Sequence, residues 1–156
     1  MPRGVLFVHN NFPGQFRDLA RTLMARGVPC CAVSQNHNNP GIEGVRLARY
    51  ALPRGTGKDV FPLAVRAEAD LIRGRSAFDA AKALKAEGWD PAVIVGHAGW
   101  GEMTFLGELF PQAKQVAFAE FIEDNFVDIA GNDAQLMLDV ATTIQATSPL
   151  LATGVD

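Results

Sequence analysis

Two histidines and a glutamate are the residues best suited to chemistry in this chain, because each follows a short apolar run. His9 follows Val5-Leu6-Phe7-Val8, His97 follows Ala92-Val93-Ile94-Val95-Gly96, and Glu120 follows Gln115 to Ala119. Imidazoles beside a carboxylate can hydrogen-bond a ligand's hydroxyls or phosphate, move a proton, or ligate Zn²⁺ or Fe²⁺. No close pair at metal-ligand spacing lies on a single element, so no metal is expected. Two loops surround the histidines: Asn11-Phe12-Pro13-Gly14-Gln15 and His97-Ala98-Gly99-Trp100-Gly101-Glu102. Their glycines let backbone approach a ligand closely, and a helix start after each loop offers free N–H groups to an anion. Taken singly, each histidine reads as an ordinary solvated or hydrogen-bonded loop residue. Their shared position at predicted strand ends is what suggests a polar cleft. Trp100, between two glycines, reads either as a stacking surface for a sugar or base or as a packing lid.

The elements that would position these groups follow from apolar patterning. Val5 to Val8 reads as a strand buried on both faces. Phe16, Leu19, Ala20, Leu23 and Met24 recur at helical spacing, closing at Arg26-Gly27. Cys30 to Ser34 reads as the second strand, Gln35 to Gly44 as a loop, and Val45 to Tyr50 as a third, more exposed strand. A long helical pattern spans Phe61 to Glu87, its apolar stripe running through Leu63, Ala67, Leu71, Gly74, Phe78, Ala81 and Leu84. Gly74 marks a candidate kink in it. After the Ala92 strand comes a helix over Glu102 to Phe110, halted by Pro111. Then follow the Gln115 to Ala119 strand, an acidic irregular stretch from Phe121 to Gly131, a helix over Asp133 to Val140, and a last strand over Thr142 to Thr147. Strands alternating with helices predict one α/β domain over residues 1–156, a three-layer sandwich with a mostly parallel sheet in the order 3-2-1-4-5-6. In such sheets ligands sit outside the carboxyl ends of the strands, at the point where strand order reverses.

Bulk properties exclude several classes. A net charge of −3 over 156 residues gives no electrostatic reason to expect nucleic acid or an anionic membrane. No apolar run approaches the roughly 20 residues that span a bilayer, and no signal-peptide core follows the start, so a soluble, cytoplasmic protein is expected. Cys30 and Cys31 are adjacent in a strand and read as small buried residues facing opposite ways. A nicotinamide cofactor is disfavoured. The first turn has the single glycine Gly14 instead of G-x-G-x-x-G, and Ser34-Gln35 stands where a ribose-binding acid would close the second strand. The phosphate-cradling G-x-x-x-x-G-K-[ST] motif is absent too.

The opening Val5-Leu6-Phe7-Val8-His9-Asn10-Asn11-Phe12-Pro13-Gly14-Gln15-Phe16, with Leu19-Ala20 and Ala25-Arg26-Gly27, resembles the start of family 4 glycosyltransferases of the GT-B fold. It is most similar to a bacterial subgroup opening on "HQNFPGQF". Tyr50 to Gly55, Gly88-Trp89-Asp90-Pro91, the His97 to Glu102 loop and Phe110-Pro111 resemble that subgroup in the same order. The resemblance implies a Rossmann-like amino-terminal, acceptor-side domain whose carboxy-terminal donor domain lies outside this sequence. It implies a retaining hexosyl transfer from a nucleotide sugar to a sugar or lipid-linked acceptor, with no cofactor and no metal. His97 and Glu120 would be the catalytic or orienting groups. His9, Asn11, Gly14, Gln15, Gly99, Trp100 and Glu102 would contact substrate. A half-cleft of this kind, with Phe12, Trp100 and Phe121 at its surface, also implies a face suited to a homodimer, and little activity in isolation. The rival from another class is a non-catalytic binding or assembly module that keeps the fold.

Overall fold

Five short parallel strands, the inner ones buried at nearly every position, organise the chain. A computed structural model describes residues 3–35 and 38–119, and its elements all fall within the unit Met1–Phe118. The strands are β1 (Val5–Val8), β2 (Cys30–Ser34), β3 (Arg46–Arg49), β4 (Val93–His97) and β5 (Lys114–Phe118), in the order β3-β2-β1-β4-β5. Every pairing is parallel; Val5 lies opposite Cys30 on one side and Val93 on the other, and Val8 opposite Val33 and Gly96. Five strands of the expected order are therefore present. The sixth, Thr142 to Thr147, the Asp133 to Val140 helix and the Phe121 to Gly131 stretch lie outside the described residues.

The period of two along β1 feeds two cores. Leu6 and Val8 join Cys31, Val33 and Ile94 on one face, under helices α2 (Val65–Ala86) and α3 (Leu106–Leu109). Val5 and Phe7 join Cys30, Ala32 and Val93 on the other, under α1 (Arg17–Ala25) through Phe16, Ala20 and Leu23. Each fully buried side chain of this size is worth about 1.5–3 kcal/mol, so β1 is the axis of the fold. The adjacent cysteines are both buried and do face opposite cores. β3, at one edge of the sheet, is more exposed than β1 and β2, as its sequence suggested, and β5 is more exposed still.

Three expectations need correction. The long helical stripe is buried only from Gly74 onward, through Ala77, Ala81 and Leu84; Leu63 is 85% exposed and Leu71 50%. Pro62–Ala64 forms a separate 3-10 turn before α2 begins. Gly74 does not break α2; a Cβ there would lie 2.6 Å from the Gly101 carbonyl oxygen, so the glycine serves a close helix–loop approach. The helix expected over Glu102 to Phe110 shrinks to Leu106–Leu109. Gly101 turns the chain with φ 86°, and its carbonyl accepts both the Thr104 N–H (3.1 Å) and the Thr104 hydroxyl (2.7 Å). That local bonding competes with helix.

Candidate functional site

β1 and β4 are neighbours at the strand-order reversal, and each delivers a histidine to the same edge. The His9 and His97 ring centroids are 5.9 Å apart with the rings at 89°. Phe16 meets the His9 ring edge-on at 5.8 Å, and Phe118 lies 6.3 Å from His97. His97 is 4% exposed, whereas His9 is half-buried.

Both rings are fixed by the same local device. The Asn11 N–H donates to His9 Nδ1 at 2.9 Å, and the Gly99 N–H donates to His97 Nδ1 at 3.0 Å. An accepting Nδ1 carries no proton, so each neutral ring holds its proton on Nε2. In that state Nε2 of each ring is a hydrogen-bond donor. A metal bound through Nε2 needs the reverse arrangement, with that nitrogen bare and Nδ1 donating, so the donor set does not suit one. Each ring also lies over a glycine. A Cβ on Gly14 would fall 2.7 Å from His9 Cε1, and one on Gly99 would fall 2.9 Å from His97 Cε1.

The β1 loop is held from below by Ser34, which is fully buried. Its hydroxyl accepts the Phe12 N–H (3.1 Å) and donates to the Asn10 carbonyl (3.2 Å). Asn11, Gly14 and Gln15 face outward around it, and Asn11 Oδ1 accepts from Asn39 Nδ2 at 3.1 Å. Phe12, expected on the surface, is instead fully buried against Phe7 at 5.7 Å, because its ring completes the α1-side core.

The β4 loop is held by α2. Arg66 donates to the Gly99 carbonyl, and Arg73 Nη1 donates to the Trp100 carbonyl at 2.9 Å. Asp70 lies between them, bonded to Arg66 Nε and Arg73 Nη1. The Trp100 ring is 37% exposed and stacks beside His97 (6.2 Å, 28°), with the Arg66 and Arg73 guanidiniums 5.3 and 5.8 Å from its centroid. Its indole therefore works as a packed bridge between His97 and α2, with part of the ring still open.

Glu102 departs furthest from expectation. It is 1% exposed, and its Oε1 accepts the Tyr50 hydroxyl at 2.8 Å, so it supports the loop from inside and does not line the cleft. Burial pushes its carboxyl above the usual range, against the opposing pull of the Tyr50 hydroxyl and the Arg73 charge. Burial likewise pushes the Tyr50 phenol up. Glu102 Oε2 and Arg73 Nε are the buried side-chain atoms without a hydrogen-bond partner among the described residues.

The structure thus brings His9, Asn11, Gly14 and Gln15 together with His97, Gly99 and Trp100. It withdraws Glu102 into the interior, and Glu120 lies outside the described residues. Ser34, Tyr50, Arg66 and Arg73 support the site and were not singled out by sequence. Only the tyrosine and the serine carried a local signal, each closing a strand at the ligand edge.

An open parallel sheet with two histidines at its reversal point defines an α/β, Rossmann-like domain, of the architecture that generally takes ligands outside the carboxyl ends of its strands. Residues 26–148 match the model of the glycosyl transferase family 4 group, and the chain belongs to that family. The matched span begins after the His9 to Phe16 segment and covers β2 through β5. Among curated proteins none matches the chain. Among the described residues no helix is long and apolar enough to cross a membrane.

Proposed function

We propose that this chain is the amino-terminal half of a nucleotide-sugar-dependent glycosyltransferase, working with a second domain that closes over the His9–His97 edge. The observation that carries the reading is the perpendicular pair of imidazoles at the ends of β1 and β4, in a chain of this family. Two Nε2–H donors set beside glycine-rich backbone suit a sugar hydroxyl or a phosphate oxygen, both of which accept hydrogen bonds. His97, with Glu120, orients the transferred sugar. Asn11, Gly14, Gln15, Gly99 and Trp100 form the surrounding contacts, and the chemistry takes place in the cytoplasm. With half the cleft open to water, the unit by itself binds weakly and turns over little, since electrostatic stabilisation needs a closed, water-poor site.

A glycosyl-transfer assay tests this. A protein carrying this unit and a second Rossmann-like domain is supplied with a panel of nucleotide sugars and sugar or lipid-linked acceptors. Transfer that depends on the nucleotide sugar, and that falls about a hundredfold in His97→Ala, is the expected result. Transfer unaffected by that change removes His97 from the reaction. No transfer with any donor favours a binding module.

A further inference from the structure

Arg73 Nε and Glu102 Oε2 are buried without a hydrogen-bond partner among the described residues, one on α2 and the other at the end of the Trp100 loop. Buried polar groups without partners are rare and costly, so each calls for a reason. Arg73 stands where α2 meets that loop. It bonds the Trp100 carbonyl, reaches Asp70 at 3.4 Å, stands over the indole, and places its charge near the Tyr50–Glu102 pair. Its neighbour Gly74 brings α2 to within van der Waals limits of the Gly101 carbonyl. The turn it grips is the one whose Gly99 N–H fixes His97.

We infer that Arg73 is a positioning residue. Its guanidinium holds the Gly99–Trp100 turn, and with it the Trp100 and His97 rings, in a preformed arrangement. An arginine suits the task because its planar fork can bond a carbonyl and lie over an aromatic ring together. Its side chain reaches past Asp70 to the loop, so it ties α2 to the Trp100 carbonyl as well as to its own helix. The inference deepens the ligand-site reading and rests on it for its meaning, but its test needs no ligand.

The probe is Trp100 itself, in the full 156-residue chain with Trp89→Phe so that a single indole fluoresces. Acrylamide quenching reports how firmly the ring is held. Arg73→Met keeps length but removes the charge and the donor. Its quenching constant should rise about twofold, as expected when a charge-assisted bond is lost. Arg73→Lys, which retains one donor and the charge, should stay near the parent. A constant unchanged in Arg73→Met, or raised equally in both variants, overturns the inference. If circular dichroism shows that Arg73→Met does not fold, Arg73→Gln decides. Its shorter, neutral amide lacks the reach of the guanidinium, so quenching should rise, and no rise overturns the proposal. Because no sugar or nucleotide enters these measurements, a failed transfer assay leaves their outcome standing.

Discussion

The Tyr50 hydroxyl donates a 2.8 Å hydrogen bond to Glu102 Oε1 across 52 positions of sequence, joining the end of β3 to the loop after β4 in the interior. Glu102 Oε2 has no hydrogen-bond partner among the described residues, so Tyr50→Phe leaves the buried carboxyl with only its own backbone N–H. Removing one partner of a buried bond costs about 1–3 kcal/mol. Urea unfolding of Tyr50→Phe should show a loss of that size with the slope unchanged. A loss below about half a kcal/mol would mean that water already serves the carboxylate.

The raised Glu102 carboxyl makes stability depend on pH in a defined direction. Folded, it keeps its proton to higher pH than the unfolded chain, whose ordinary value is 4.5, because burial disfavours the charge. Folding therefore takes up protons between the two values, and stability falls as pH climbs through that window. Below it both states are protonated, and above it both are ionised and the loss is complete. Glu102→Gln abolishes this ionisation. Its stability relative to the parent should rise with pH across the window and be level on either side, as read from urea midpoints at a series of pH values. A difference flat from pH 4 to 8 contradicts the buried, unfavourably ionised carboxylate.

Gly101 is where backbone, loop and helix meet most tightly. Its φ is 86°, and a Cβ would lie 2.3 Å from the Asp70 carbonyl oxygen, an atom of the α2 backbone that cannot step aside. Gly88 shares the left-handed conformation, φ 92°, with nothing within 4 Å. Alanine at Gly88 should cost about 1 kcal/mol from backbone conformation alone. Alanine at Gly101 should cost at least about 2 kcal/mol more, from overpacking. Thermal or urea unfolding of the two single variants checks the ranking; equal losses would mean that α2 and the loop are not held together.

Much of this was legible in the residues, for a simple reason. Val5 to Val8 is apolar at every position, and only a strand covered on both faces tolerates that, so the place of β1 at the centre and of His9 at its tip followed. The same holds for Val93 to Val95 and His97. Glu102 was misplaced because a carboxylate in a glycine loop ordinarily faces water; inside, its partner is Tyr50, distant in sequence. Phe12 was misplaced because a loop position does not reveal that Phe7 and the α1 face leave room for a ring beneath it. Leu63 and Leu71 kept helical spacing with Leu84, but spacing fixes a shared face and not how far along the helix the sheet extends. Ser34 was read for the acid it is not, and its hydroxyl's grip on the β1 loop emerges only from strand register.

Cys30 and Cys31 should be inert in the folded protein. Burial pushes their thiols up to about 11 and about 12, so almost no thiolate exists near neutral pH. Ellman's reagent at pH 8 should modify neither thiol in the native chain and both in urea. The unfolded thiols ionise near the ordinary value of 9.0, before the folded ones, so stability should also decline as pH rises above that point. Rapid native labelling of either cysteine would show that its side of the sheet opens readily.

The imidazole pair can be watched directly. The chain has three histidines, so a carbon–proton spectrum of the imidazole Cε1–H groups is simple enough for His9 and His97 to be assigned by single replacement. Nucleotide sugars, tested one at a time up to millimolar concentration, are titrated in and the three signals followed. A shared ligand cleft predicts that the His9 and His97 signals move together with one dissociation constant, and that His97→Ala weakens binding. Saturable binding that leaves both signals unmoved, or that shifts one without the other, contradicts a single cleft between the ends of β1 and β4.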